Sequence, residues 1–125
     1  MILLIDAHAL LWWLADDPGL DPAAARSIAD PANDVIVSAA TIWEIEIKRA
    51  LGKLQAPEHL VEAVQLAGFD ALPITGSDAE RAARLPPHHR DPFDRMLVAQ
   101  AARLDATLVS RDTAFDPYEV TVIRA

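Results

Sequence analysis

Unbroken apolar runs alternate along this chain with longer stretches of mixed helical pattern. Ile2-Leu3-Leu4-Ile5 has no polar interruption until Asp6, which is how a strand covered on both faces reads. Residues 2–6 are therefore a predicted strand. Ala7 to Ala15 follow as a helix, broken by Pro18-Gly19. Asp21-Pro22 opens a second helix, with Asp21 as its cap and Pro22 at the first helical position. Val35 to Val37 give a second strand. Ser38 then caps a helix running to about Leu51, with Gly52 as its stop. Pro57 opens a fourth helix that ends near Gly68, and Phe69 to Ile74 form a third strand. Ser77 caps a short helix through Leu85. Pro86-Pro87-His88-His89-Arg90 is a loop, since neither proline can continue a helix. Asp91-Pro92 starts the last helix, to about Leu104. Leu108-Val109 is a fourth strand and Val120 to Ile123 a fifth.

Strands separated by helices imply parallel pairing through right-handed crossovers. The expected architecture is a three-layer α/β fold. A length of 125 residues sets the expectation of one domain, residues 1–125. With 52% hydrophobic and 24% charged residues, the composition is that of a folded globule and excludes a disordered segment. The absence of cysteine excludes disulfides and thiolate metal sites. The opening apolar run is too short to span a membrane and lacks a signal peptide's basic start and cleavage site. A cytoplasmic protein without membrane contact is expected. A net charge of −8 argues against a nucleic-acid coat protein. It leaves room for an enzyme acting on nucleic acid through bound metal, or for a basic protein partner.

The chemistry-bearing candidates are carboxylates where apolar runs end. Asp6 closes the first strand, and Ser110-Arg111-Asp112 closes the fourth. In parallel α/β sheets such ends meet at one edge, where ligands bind. Glu44 lies too deep in its helix to be a cap. It shares a flank with Lys48, while Glu46 pairs with Arg49 on another. Asp91 and Asp94 stand three apart at a helix start. Asp91 reads as the cap, and Asp94, heading the apolar Met96-Leu97-Val98-Ala99 stretch, as the better ligand. Each also has an ordinary reading: Asp6 as an N-cap, Glu44 as half of a surface ion pair, Asp112 as a turn residue. His88 and His89 read as exposed loop, and His8 as structural. Several carboxylates in one pocket repel unless a proton or cation intervenes, and Mg²⁺ or Mn²⁺ suits oxygen donors. Leu10-Leu11-Trp12-Trp13-Leu14 is apolar all round, so it is either core or a groove for another chain.

Taken together, these segments resemble the PIN-domain family, and within it the VapC ribonuclease toxins of bacterial toxin–antitoxin pairs. Leu3-Leu4-Ile5-Asp6-Ala7-His8 is similar to the first acidic motif, and Ser38 through Trp43-Glu44-Ile45 to the second. His89-Arg90-Asp91-Pro92-Phe93-Asp94 is similar to the third, and Leu108-Val109-Ser110-Arg111-Asp112 to the fourth. One departure is Ala7, where the motif usually has a hydroxyl residue; its loss removes a hydrogen bond that can support metal affinity.

The resemblance implies a sheet ordered 3-2-1-4-5, which brings Asp6 beside Asp112. It implies a homodimer and a cognate antitoxin, and the Trp12-Trp13 helix is the first place to look for that contact. It also implies metal-dependent endonucleolytic hydrolysis of single-stranded or looped RNA. Asp6, Asp94 and Asp112 would hold Mg²⁺ or Mn²⁺, and Glu44 would complete the metal shell or orient the attacking water. Ser38, Ser110 and Asp91 are supporting candidates, and Lys48, Arg95 and Arg111 could steady phosphates. Two alternatives remain: a catalytically inactive binding domain of the same fold, and a receiver-type signalling domain. The latter needs a lysine after its last strand and paired acids near its first, whereas this chain has Lys48, Lys53 and a lone Asp6 there.

Overall fold

A computed structural model describes residues 1–125. Strand β1 (Ile2–Ile5) leads into α1 (Ala7–Leu14) and α2 (Pro22–Ala29). Then come β2 (Asp34–Ser38), α3 (Ala39–Ala50), α4 (Leu60–Leu66) and β3 (Asp70–Leu72). Helices α5 (Gly76–Arg84) and α6 (Pro92–Leu104) precede β4 (Thr107–Ser110), a 3-10 turn at Thr113–Phe115, and β5 (Val122–Arg124). The sheet order is β3-β2-β1-β4-β5, and every pairing is parallel. This is the α/β fold and strand order that the sequence resemblance implied.

Side chains alternate across the central strand. Leu3 and Ile5 join a core with Leu10 of α1, Ile28 of α2, Ile45 of α3 and Val64 of α4. Leu4 faces the other way, onto Leu97 and Val98 of α6, with Leu108 and Phe115. Burying each such side chain contributes about 1.5–3 kcal/mol relative to exposure. The helices covering the two faces make the three layers. None is long and apolar enough to cross a membrane.

Some boundaries differ from expectation for local reasons. Asp6 leaves β1 because it caps α1, accepting a hydrogen bond from the Ala9 amide at 2.9 Å. Helix α4 begins at Leu60, not Pro57, and His59 supplies no side-chain cap. Strand β3 stops at Leu72, before Pro73, which has no amide for the ladder. Thr75 caps α5, not Ser77. Its hydroxyl accepts from the Asp78 amide at 3.0 Å, while Asp78 accepts from the Thr75 amide at 3.1 Å. That reciprocal box fixes the start two residues earlier. Asp78 goes on to tie α5 to α6, receiving Arg103 at 2.7 and 3.0 Å. Glycines Gly52 and Gly68 end their helices with φ of 71° and 81°, a backbone region costly for other residues.

Candidate active site

Helices that alternate with parallel strands start at the edge where the strands end, so strand termini and helix first turns share one rim. Asp6 lies at that rim, next to the strand that carries Ser110; its amide donates to the Val109 carbonyl at 3.1 Å. The Asp6 carboxylate is 7% exposed. One oxygen accepts from Ala9, and the other accepts the Ser110 hydroxyl at 2.5 Å. Ser110 Oγ in turn accepts the Asp112 amide at 3.0 Å. One hydroxyl thus fastens the first acid to the backbone of the fourth. Burial pushes the Asp6 carboxyl up from its ordinary value, and the bonds from Ser110 and Ala9 oppose that rise.

Glu44 is buried in the second turn of α3 and receives Lys48 Nζ at 2.6 Å. The expected pair exists, but it is not a surface pair. Lys48 is raised above its ordinary value, first by the hydrogen bond to Glu44 and then by the nearby charge of Asp91 and Asp94. Asp91 caps α6 through bonds from the Phe93 and Asp94 amides at 2.8 and 3.2 Å. Asp94 sits in the first turn of α6, largely buried. Burial, then the charges of Asp91 and Glu44, push its carboxyl up to about 7, against the pull of His89. Asp112 is the exposed member; it accepts from the Ala114 amide at 2.9 Å and so caps the 3-10 turn.

His89 corrects the expectation of an exposed loop residue. Its Nε2 lies 2.7 Å from Asp94 and 3.5 Å from Asp112. The loop is held there by neighbours that pattern reading does not reveal. Tyr118 donates to the Pro86 carbonyl at 2.7 Å and accepts the His89 amide at 3.1 Å. Arg95 donates to the carbonyls of Ala83, Leu85, Pro86 and His89 at 2.9–3.3 Å. Arg95 is therefore a loop clamp and not a phosphate contact, a second correction. Ser38 caps α3 at Ala40 as expected, and its fully buried hydroxyl is not among the groups lining the cleft. His88 stays exposed, as expected, against the Tyr118 ring. His8, expected to be structural, is exposed on the site's wall.

These side chains surround a cleft of about 500 Å³ lined by Asp6, Glu44, Asp91, Asp94 and Asp112, with Ala7, His8, Trp12, Lys48, His89 and Arg111. Five carboxylates face two cations, Lys48 and Arg111, and both cations already have partners. That imbalance, in a partly desolvated space, needs a proton or a cation. The ligand atoms of His89, Asp94 and Asp112 lie within 4.8 Å of one another, close enough to hold one ion. The donor set is mostly carboxylate oxygen, which fits a hard divalent cation.

The PIN domain family profile matches residues 3–120. This chain belongs to the PIN domain family. A similar protein is Ribonuclease VapC22 of Mycobacterium tuberculosis (strain ATCC 25618 / H37Rv), 31% identical over 118 residues, covering 88% of this chain and 86% of that protein. Among solved structures, VapBC2 from Rickettsia felis, bound to a DNA fragment from its promoter, aligns with a TM-score of 0.71 at 14% identity, over 99% of this chain and 98% of its own. The toxin–antitoxin complex VapBC-5 from Mycobacterium tuberculosis aligns with a TM-score of 0.63 at 18% identity, again over 99% and 98%. These structural likenesses establish the PIN fold, and the strand order agrees.

Proposed function

We propose that residues 1–125 form one nuclease domain, a metal-dependent endoribonuclease acting as the toxin of a toxin–antitoxin pair in the cytoplasm. The observation that carries this reading is the meeting of five carboxylates from the ends of β1 and β4, from α3 and from the start of α6 in one cleft. The similarity to a ribonuclease at 31% identity supports RNA as the substrate.

In this reading Asp6, Asp94 and Asp112 hold Mg²⁺ or Mn²⁺, with His89 close enough to join them or to fix Asp94. When bound, the cation supplies Lewis-acid polarisation of the phosphodiester and makes water easier to deprotonate. Glu44, oriented by its bond from Lys48, would take a proton from water attacking in line. Ser110 holds Asp6 in one rotamer and Asp91 sets the first turn of α6, so the acids need little rearrangement to act. Water as the attacker leaves 5′-phosphate and 3′-hydroxyl ends.

The antitoxin expected at the Trp12-Trp13 helix has a better seat elsewhere. Trp13 packs against Phe69 in the core, with ring centroids 6.1 Å apart. The apolar groove runs instead between α3 and α4, past Trp43, Val61, Phe69 and Leu72. Its Trp43 touches Phe93, the neighbour of Asp94, at 5.3 Å between centroids. A segment lying in that groove would leave it beside the acids and could cover them. Exposed Trp43, Leu51, Val61 and Leu66 also offer surface for the proposed homodimer, which light scattering on the purified chain checks.

The receiver alternative is weakened because both lysines lie on or just after α3 in the chain, and neither follows β4 or β5. The deciding experiment purifies the chain free of any partner and incubates it with mixed cellular RNA and Mn²⁺. Cleavage by wild type and not by Asp6→Asn is expected. Intact RNA with wild type, or equal cleavage by both, would refute the proposal and leave a binding domain of the same fold.

A further inference from the structure

Three side chains of the cleft are left unused by the metal and its acids. His8 and Trp12, one helical turn apart on α1, have ring centroids 5.8 Å apart and planes 36° apart. Arg111 places its guanidinium carbon 4.2 Å from the centre of the Trp12 ring. The same guanidinium donates to the Gly19 carbonyl and, at 2.8 Å, to the carbonyl of Ala125. An arginine tied in this way at one terminal nitrogen is held over the Trp12 ring. It presents a flat, fixed plane, and all three groups line the cleft. Chain connectivity bolts that plane to the chemistry, because His8 is two residues from Asp6 and Arg111 adjoins Asp112.

We infer that His8, Trp12 and Arg111 form a stacking shelf for an unpaired nucleobase next to the scissile phosphate. This rests on the ribonuclease reading and adds to it how the substrate strand is aligned. Flat π and guanidinium surfaces are how proteins grip unstacked bases, whatever their identity. They also serve a strongly acidic cleft well, because they attract the strand without relying on net charge. A strand held only by its phosphates would meet five carboxylates, and apart from the proposed cation only Lys48 and Arg111, both already partnered, would offset them. The shelf gives the expected single-stranded or looped RNA a seat for one base, which is free to turn onto it. Paired bases stay in their own stack and cannot reach it.

The test measures fluorescence anisotropy of a short labelled single-stranded RNA of mixed sequence. The comparison strand has the same ribose-phosphate backbone without bases. Both are mixed with wild type, Trp12→Leu and His8→Ala in Ca²⁺, and gels confirm that the strands stay intact. Wild type should prefer the base-bearing strand, and Trp12→Leu should lose roughly tenfold on that strand alone. His8→Ala, at an exposed position, should lose a smaller factor in the same selective way, which guards against misfolding of the tryptophan variant. Equal losses on both strands, no loss, or no binding by wild type would overturn the shelf. Cleavage of the same RNA with Mn²⁺ reads the nuclease proposal separately. Cutting without base dependence removes only the shelf. Base-dependent, Trp12-sensitive binding without cutting removes only the nuclease.

Discussion

Asp78 and Asp94 occupy the same place in two neighbouring helices, the third residue after the cap of α5 and of α6. Both are withdrawn from water, and both gain from the positive end of their helix. Their acidities are nevertheless opposite. Burial would raise Asp78, but Arg103 and the Thr75 amide outweigh it and hold its carboxyl down at about 2. Burial raises Asp94, and Asp91 and Glu44 raise it further, to about 7. One aspartate has been given what its charge requires; the other has been surrounded by more of the same charge. The helix position does not decide which is structural and which is poised for chemistry. The neighbours brought in by tertiary packing decide it, and a strongly perturbed carboxylate in a cleft is a mark of function.

The comparison can be broken most sharply by exchanging the two losses. Asp94→Asn should lower RNA cleavage by roughly 100-fold or more, because the proposed cation site would lose an oxygen and its charge, while the fold survives; rate assays with circular dichroism check both. Asp78→Asn should do the reverse. It leaves the cleft intact but destabilises by about 2–3 kcal/mol, since Arg103 and the capping box lose their partner; urea unfolding measures it. If Asp78→Asn silences cleavage without loss of stability, the division between the two regions is wrong.

His89→Ala should weaken Mn²⁺ binding by about tenfold, the usual cost of losing a residue that orients a ligand, read by calorimetric titration. The pH dependence should also divide between the two aspartates. Asp94 has a native value above its unfolded one, so its stabilising share is complete below about pH 4. That share is lost as pH climbs toward about 7. Asp78, with a depressed native value, contributes fully above about pH 4 and fails as pH falls toward about 2. Metal-free protein should therefore lose stability between about pH 4 and 7, and Mn²⁺ should restore it. The slope should flatten in Asp94→Asn, as urea midpoints in chelator and in Mn²⁺ would report. The smallest effect is expected of Ala7→Ser, which returns a hydroxyl beside Asp6 and should tighten Mn²⁺ by about two- to threefold. A weaker grip would show that the wall at Ala7 has no room for oxygen.

Much of this was readable along the chain because parallel strands buried on both faces are plain apolar runs, and Asp21, Ser38 and Asp91 cap the helices they announce. The convergence of Asp6 with Asp112 followed once β1 and β4 were neighbours, an adjacency that came from family likeness and not from periodicity. Groups whose role depends on distant partners stayed hidden. His89 looks like loop until Tyr118 and Arg95 are seen fastening it. Arg95 looks like a phosphate ligand until its four carbonyls are counted. Trp12 and Trp13 are adjacent in sequence but about 100° apart around a helix, so one lines the cleft and the other joins the core. Asp78 is hidden because Ser77 is the more obvious cap in the sequence, while Thr75, two residues earlier, is the cap in the fold.

Arg95 carries a lesson for genetics. Under the proposed toxin function, a selection for cells that outlive this protein's expression should return changes at that arginine, alongside the acids. Such survivors would be mistaken for defects in gripping RNA. What they would have lost is the latch that holds the His89 imidazole 2.7 Å from Asp94.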